Sequence, residues 1–259
     1  MKKVLVTGAS GQLGLTIQDI HKKYENLKFV FKDSNKLDIT NLNAIQKIFT
    51  NGNFDYCINC AAYTNVEQSE KTPEIAFKIN AKGVENLALA CKNENVVLIH
   101  ISTDYVFDGE KLEPYTINDI PNPINEYGKS KLEGEKYIQK ILNDYYIIRT
   151  SWLYSKIHGH NFYKTILKKA KTGEQIKVTD EQTGCPTDSV NLATFIINQI
   201  ESKNKLFGIY HYSDDKQMTW FDFAKTIINS YNLNASQLLV LDRNYRTFAK
   251  RPVFSILKN

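Results

Sequence analysis

The sequence predicts an α/β fold, a doubly wound parallel sheet followed by a smaller C-terminal lobe. Three observations predict it. Strand and helix patterns alternate over residues 3–149, a glycine-rich turn joins the first such pair, and residues 96–101 form a near-continuous apolar run. Repeated β–α–β order with right-handed crossovers makes a parallel sheet. Strands covered on both faces read as unbroken apolar runs.

The elements follow in order. Residues 3–7 are a short apolar strand, and residues 13–24 carry Leu13, Ile17, Ile20 and Tyr24 at helical spacing. Residues 28–32 read as a second strand. Residues 41–50 read as a helix with Leu42, Ile45, Ile48 and Phe49 inward, and 55–59 as a third strand. Residues 73–93 form one long helix with Pro73 in its first turn and Ala/Leu-rich content behind it. The fourth strand is 96–101, the next helix reaches about Leu142, and 145–149 is the fifth strand. Beyond Thr150 the pattern loosens into helices at 160–171, 188–201 and 219–230 and strands at 176–179 and near 208–212. The expected division is 1–154 for a dinucleotide-binding domain and 155–259 for a substrate-capping lobe partly interleaved with the main sheet.

Composition narrows the function. The 259 residues are 42% hydrophobic and 24% charged, enough for one large domain or a main domain with a lobe. Net charge is +5, but only Arg149, Arg243, Arg246 and Arg251 are arginines and the lysines are scattered. That describes a solvated surface rather than a nucleic-acid face. No run of eighteen apolar residues exists, and the start goes straight into the glycine turn, so neither a membrane span nor a secretory leader is expected. The expected location is the cytoplasm. Cys57-Ile58-Asn59-Cys60 matches C-x-x-C without a second ligand pair, and reads as a buried strand and turn rather than a zinc or redox site.

Thr7-Gly8-Ala9-Ser10-Gly11-Gln12-Leu13-Gly14 joins the first strand to the first helix. Glycines there let the backbone approach a pyrophosphate, and the helix N-terminus offers N–H groups to it. Gly8, Gly11, Gln12, Leu13 and Gly14 are therefore cofactor candidates. Asp33 ends the second strand, where an acidic residue holds the adenine ribose. Lys32 and Lys36 flank it and can reach a 2′-phosphate, leaving NAD and NADP both open. Asp38 and Ile39 lie in a second acidic turn within reach of the adenine. Ala61, Ala62 and Tyr63 follow the third strand, where small residues admit a dinucleotide. Asn80 either faces the site or bonds nearby backbone.

Tyr127 and Lys131 lie one helical turn apart on one face. A neighbouring ammonium lowers the pKa of a phenol, which fits Tyr127 as a proton donor. Thr103, in the polar cluster after the fourth strand, can donate a hydrogen bond to a carbonyl oxygen. A reduced nicotinamide would supply the hydride.

The chain resembles the extended short-chain dehydrogenase/reductases, and within them the dTDP-4-dehydrorhamnose reductases. The matching stretches are TGASGQLG at 7–14, LDIT at 37–40, NCAAYTNVEQSE at 59–70, STDYVFDG at 102–109 and NEYGKSKLEGE at 125–135. RTSWLY at 149–154, DEQTGCPT at 180–187 and the RP of 251–252 continue the match. The resemblance implies a Rossmann-type fold, Thr103, Tyr127 and Lys131 as the catalytic set, and NADP(H) or NAD(H) as cofactor. It implies contacts to the sugar nucleotide from Thr103, Asp104, Trp152 and Val66. The implied reaction is reduction of the 4-keto group of a dTDP-6-deoxy-hexulose for cell-surface polysaccharide synthesis. It also allows a homodimer, without nucleic-acid or membrane partners. Some members use Mg2+, but no carboxylate cluster is evident here, so no metal site is expected. A dehydratase is disfavoured because Tyr105 stands where such enzymes resemble one another in carrying glutamate. A talose-forming reductase and a non-catalytic partner like the regulatory subunit of methionine adenosyltransferase stay open.

Overall fold

A computed structural model describes residues 1–202 and 205–259. Six strands build one parallel sheet: β1 (Lys2–Thr7), β2 (Leu27–Lys32), β3 (Tyr56–Asn59), β4 (Val97–Thr103), β5 (Tyr145–Thr150) and β6 (Gly208–His211). Their order is β6-β5-β4-β3-β1-β2. The order reverses between β1 and β3, so the crevice beyond their carboxyl ends is where such sheets receive ligands.

Alternation along each strand gives the sheet two buried faces. Leu5, Cys57, Leu98 and Ile147 point to one side. There they meet α2 (Leu42–Gly52), α4 (residues 73–93) and α5 (Glu126–Ile141). The helix α4 follows a short α3 (Val66–Lys71) and runs through Pro73–Phe77, Lys78–Gly83 and Val84–Asn93. Val4, Val6, Tyr56, Ile58, Ile99, Tyr146 and Ile148 point to the other side. That face is covered by α1 (Gln12–Ile20) and by α7 (Ser189–Glu201), which arrives from the C-terminal half after α6 (Phe162–Lys171). Thr16 and Ser189 hydroxyls meet at 2.9 Å across the α1–α7 seam.

A separate apolar cluster forms the lobe. Tyr163, Ile166, Val178, Phe223, Ile227 and Leu239 pack together from α6, the strands Ile176–Val178 and Leu239–Leu241, and α8 (Trp220–Ser230). The C-terminal half thus both completes the main sheet, through β6 and α7, and builds its own core.

Several elements depart from the sequence reading. The long helix from Pro73 is π-helical over Lys78–Gly83, and the helix α3 was not anticipated. Asn65 caps α3 by accepting from Gln68 N–H at 3.0 Å. The fourth strand extends to Thr103, which places that residue at the sheet's edge. All four cysteines are free; Cys57 is core, in keeping with a buried strand. No helix among the described residues is long and apolar enough to cross a membrane.

Candidate active site

A cleft of about 450 Å³ opens where β1, β3, β4 and β5 end. Its near wall is the glycine turn. Gly8 takes φ +62°, and a Cβ there would lie 2.5 Å from Ala61 N, so the turn presses against the end of β3. Gly11 precedes α1 with no side-chain cap, which leaves the helix N-terminus to offer backbone N–H groups. Gly11, Gln12, Leu13, Ala61 and Ala62 line the cleft, with Gly14 buried behind them. The Gln12 side chain donates to Leu153 carbonyl at 3.1 Å and accepts from Asn161 at 2.6 Å, tying the turn to the lobe.

The far wall is α5. Asn125 caps it by accepting from Gly128 N–H at 2.7 Å, and holds Lys250 carbonyl at 2.8 Å. A Cβ on Gly128 would lie 2.1 Å from Tyr105 carbonyl, so only glycine lets the helix start against the turn after β4. Further along, Glu135 is wholly buried and bidentate with Arg149 of β5, at 3.0 and 2.6 Å. Ser102 of β4 donates to the same carboxylate at 2.5 Å. These bonds lock α5 against β4 and β5, which brings Tyr127, Lys131 and Thr103 into one cleft.

The electrostatics depart from expectation. Lys131 was expected to lower the Tyr127 pKa. Burial instead pushes the phenol well above its ordinary range, with the Thr103 hydroxyl pulling against it. Lys131 is itself 2% exposed. Burial pulls its amine down to about 8, against the opposing influence of Glu135 and Cys60. Its Nζ donates to Ile101 carbonyl at 2.5 Å and meets His100 Nε2 at 3.2 Å. A lysine desolvated and turned toward the sheet contributes little to the phenol. Asp104 is buried, and burial raises its carboxyl to about 6 against the opposing influence of the nearby Ser255, Ser151 and Thr103 hydroxyls, of which Thr103 donates to Oδ1 at 3.2 Å. Its Oδ2 has no hydrogen-bond partner among the described residues.

Trp152 takes φ +46° and lies face to face with Trp220 of α8, ring centroids 3.5 Å apart. Val66, at the start of α3, also reaches the cleft. Asp33, Asp38, Ile39 and Tyr63 are not part of this lining. Asp33 accepts from Lys36 N–H at 3.0 Å and Asp38 from Thr40 N–H at 2.8 Å, each closing its own turn. Ile39 packs into the core. Asn80 bonds both Tyr63 N–H and Tyr63 carbonyl, and Ser130, so it braces the loop after β3. Sequence reading assigned no site role to Tyr105, Phe162, Trp220 or Arg251, all of which line the cleft. Tyr105 packs edge-on against Tyr127. Arg251 pairs with Glu67 at 2.9 Å. The stretch STDYVFDG at 102–109 and the Arg-Pro pair at 251–252 carried the signals that could have pointed to Tyr105 and Arg251.

A parallel dinucleotide-type sheet whose edge gathers a glycine turn, a threonine and a Tyr-x-x-x-Lys helix defines a short-chain dehydrogenase/reductase of the extended type. A family model described as the RmlD substrate binding domain matches residues 1–259, and the chain belongs to this family. A dTDP-4-dehydrorhamnose reductase of Aggregatibacter actinomycetemcomitans is 36% identical, over 99% of this chain and 90% of that one. Two solved structures superpose with a TM-score of 0.93. The dTDP-4-dehydrorhamnose reductase of Clostridium acetobutylicum is 40% identical and covers 99% of this chain and 90% of its own. That of Bacillus anthracis, in complex with NADP, is 39% identical and covers 100% and 91%.

Proposed function

We propose that the chain reduces the 4-keto group of dTDP-4-dehydro-L-rhamnose to give dTDP-L-rhamnose, with NAD(P)H as reductant, for cell-surface polysaccharide synthesis. The observation that carries this reading is the convergence of Thr103, Tyr127 and Lys131 on the cleft between the glycine turn and the Trp152–Trp220 pair. Relatives named as dTDP-4-dehydrorhamnose reductases support the substrate, and the NADP complex of one supports the cofactor.

The near wall suits a dinucleotide: Gly11, Ala61 and Ala62 present small residues to the cleft, and the bare Gly8 lets the turn lie directly against the end of β3. Gly8, Gly11, Gln12, Leu13 and Gly14 would hold the diphosphate, and Lys131 the nicotinamide ribose. When bound, the reduced cofactor supplies hydride. Tyr127 keeps its proton across the neutral range, the form required to donate to the keto oxygen as it becomes a hydroxyl. Thr103 donates to the same oxygen and stabilises its developing charge. Asp104, Val66 and Trp152 contact the sugar nucleotide, with residues 155–259 supplying the cap. The enzyme works in the cytoplasm, and a homodimer is compatible with this reading.

The test is oxidation of NADPH and of NADH by the purified chain with dTDP-4-dehydro-L-rhamnose, the product sugar being identified by NMR. Rhamnose is expected. A talose configuration at C4 would reassign the hydride face, and no turnover with either cofactor would sink the reductase reading.

A further inference from the structure

Lys131 ends a chain of buried polar groups that starts at the glycine turn. The Thr7 hydroxyl donates to Asn59 Oδ1 at 2.7 Å, and Ala61 N–H reaches the same oxygen at 3.1 Å. A main-chain N–H only donates, so Oδ1 is the acceptor and the orientation of the Asn59 amide is fixed. Its Nδ2 therefore faces His100 Nδ1, 3.0 Å away, as a donor. A neutral imidazole carries one N–H. With Nδ1 accepting, that proton sits on Nε2, which lies 3.2 Å from Lys131 Nζ. An ammonium has no lone pair to receive it. The contact is a hydrogen bond only while the Lys131 nitrogen is uncharged and accepts. Nζ still donates to Ile101 carbonyl at 2.5 Å. Thr7, Asn59, His100 and Lys131 are each at most 2% exposed, so solvent does not replace these bonds.

We propose that His100 is a positioning residue for the reduction: through the tautomer that Asn59 imposes, it holds the Lys131 nitrogen and sets the pH at which that nitrogen becomes charged. This rests on the catalytic reading above, because the charge on Lys131 matters to turnover only if Lys131 serves the reaction. The other titratable groups acting on Lys131 are Glu135 on its own helix and Cys60 beyond β3. Glu135 is shared with Arg149 and Ser102. Burial keeps the Cys60 thiol protonated. Burial, and then the Lys131 charge, hold His100 well below the ordinary histidine range, so the neutral imidazole is the form present.

Two measurements on the full chain test this. Long-range 1H–15N imidazole spectra of the 15N-labelled protein should show His100 protonated on Nε2 at neutral pH; protonation on Nδ1 overturns the proposal. The pH profile of kcat/KM should move for His100→Phe. Loss of the opposing N–H lets the ammonium persist, so the basic limb rises by roughly half to one pH unit. His100→Gln, whose amide oxygen can turn toward the ammonium, should move the limb in the same direction and serves if the phenylalanine variant fails to fold. A limb that stays put or moves down in the folded variant overturns the proposal. A wild-type chain without turnover would sink the reductase reading instead, and the tautomer spectrum would still decide this one.

Discussion

Tyr127, Thr103 and Asp104 sit within one turn of chain or one helix start of each other, yet burial acts on them differently. It fixes the proton on the phenol, which suits donation. Tyr127→Phe should lose turnover by about 10²–10⁴-fold while cofactor titration stays near wild type. Near-wild-type turnover would remove the phenol from the mechanism. Thr103→Val removes one donor to the keto oxygen and should cost on the order of 10²-fold in kcat. On Asp104 burial works against the fold. A carboxyl raised from 3.8 to about 6 stabilises the folded protein below pH ~4 and loses that contribution as pH rises through 6. The shift corresponds to about 3 kcal/mol. Asp104→Asn should therefore melt higher than wild type at pH ~7 while sugar-nucleotide reduction falls. A lower melting temperature at that pH would show that the carboxylate is stabilised by partners after all.

The elements explain how those residues meet. Lys131 and Glu135 lie one turn apart on α5, and Glu135 is held by Arg149 and Ser102. Glu135→Ala leaves a buried guanidinium unpaired and should cost about 3–5 kcal/mol in urea denaturation. A double replacement of Glu135 and Arg149 by apolar residues should recover much of that loss. The strands and the glycine turn were legible in the sequence because their signals are local: apolar runs, and three closely spaced glycines from the end of a strand into the first turn of a helix. The Tyr-x-x-x-Lys face was legible for the same reason. The helix α3 and the π-helical turn around Asn80 were not. The π-helical turn is braced by tertiary bonds such as Asn80 to Tyr63, and α3 is one short helix held by its Asn65 cap, so neither shows in periodicity. Trp220 and Arg251 reach the cleft from segments remote in sequence; no local pattern marks Trp220, and only the resemblance of its Arg-Pro pair marks Arg251. The expected effect of Lys131 on Tyr127 followed from spacing alone. Spacing does not report that the lysine nitrogen turns to Ile101 and His100.

At the scale of the whole molecule, the two halves of the chain share one sheet. β6 pairs with β5, and α7 covers the face carrying Val4, Ile58 and Ile148. A fragment of residues 1–154 would expose that face and should fail to fold, read as loss of cooperative unfolding by circular dichroism. A cooperatively folded fragment would show that the first half is autonomous. The same interleaving ties the glycine turn to the lobe through the Gln12–Asn161 hydrogen bond. The chain has two tryptophans, and they are the stacked pair at that seam. Its whole indole emission therefore originates at one spot, with no background from elsewhere. Any ligand that parts the rings should change brightness and wavelength together, giving a label-free optical gauge of the cleft's occupancy. Titration of the wild-type chain with sugar nucleotide should trace a saturable change that Trp220→Phe removes.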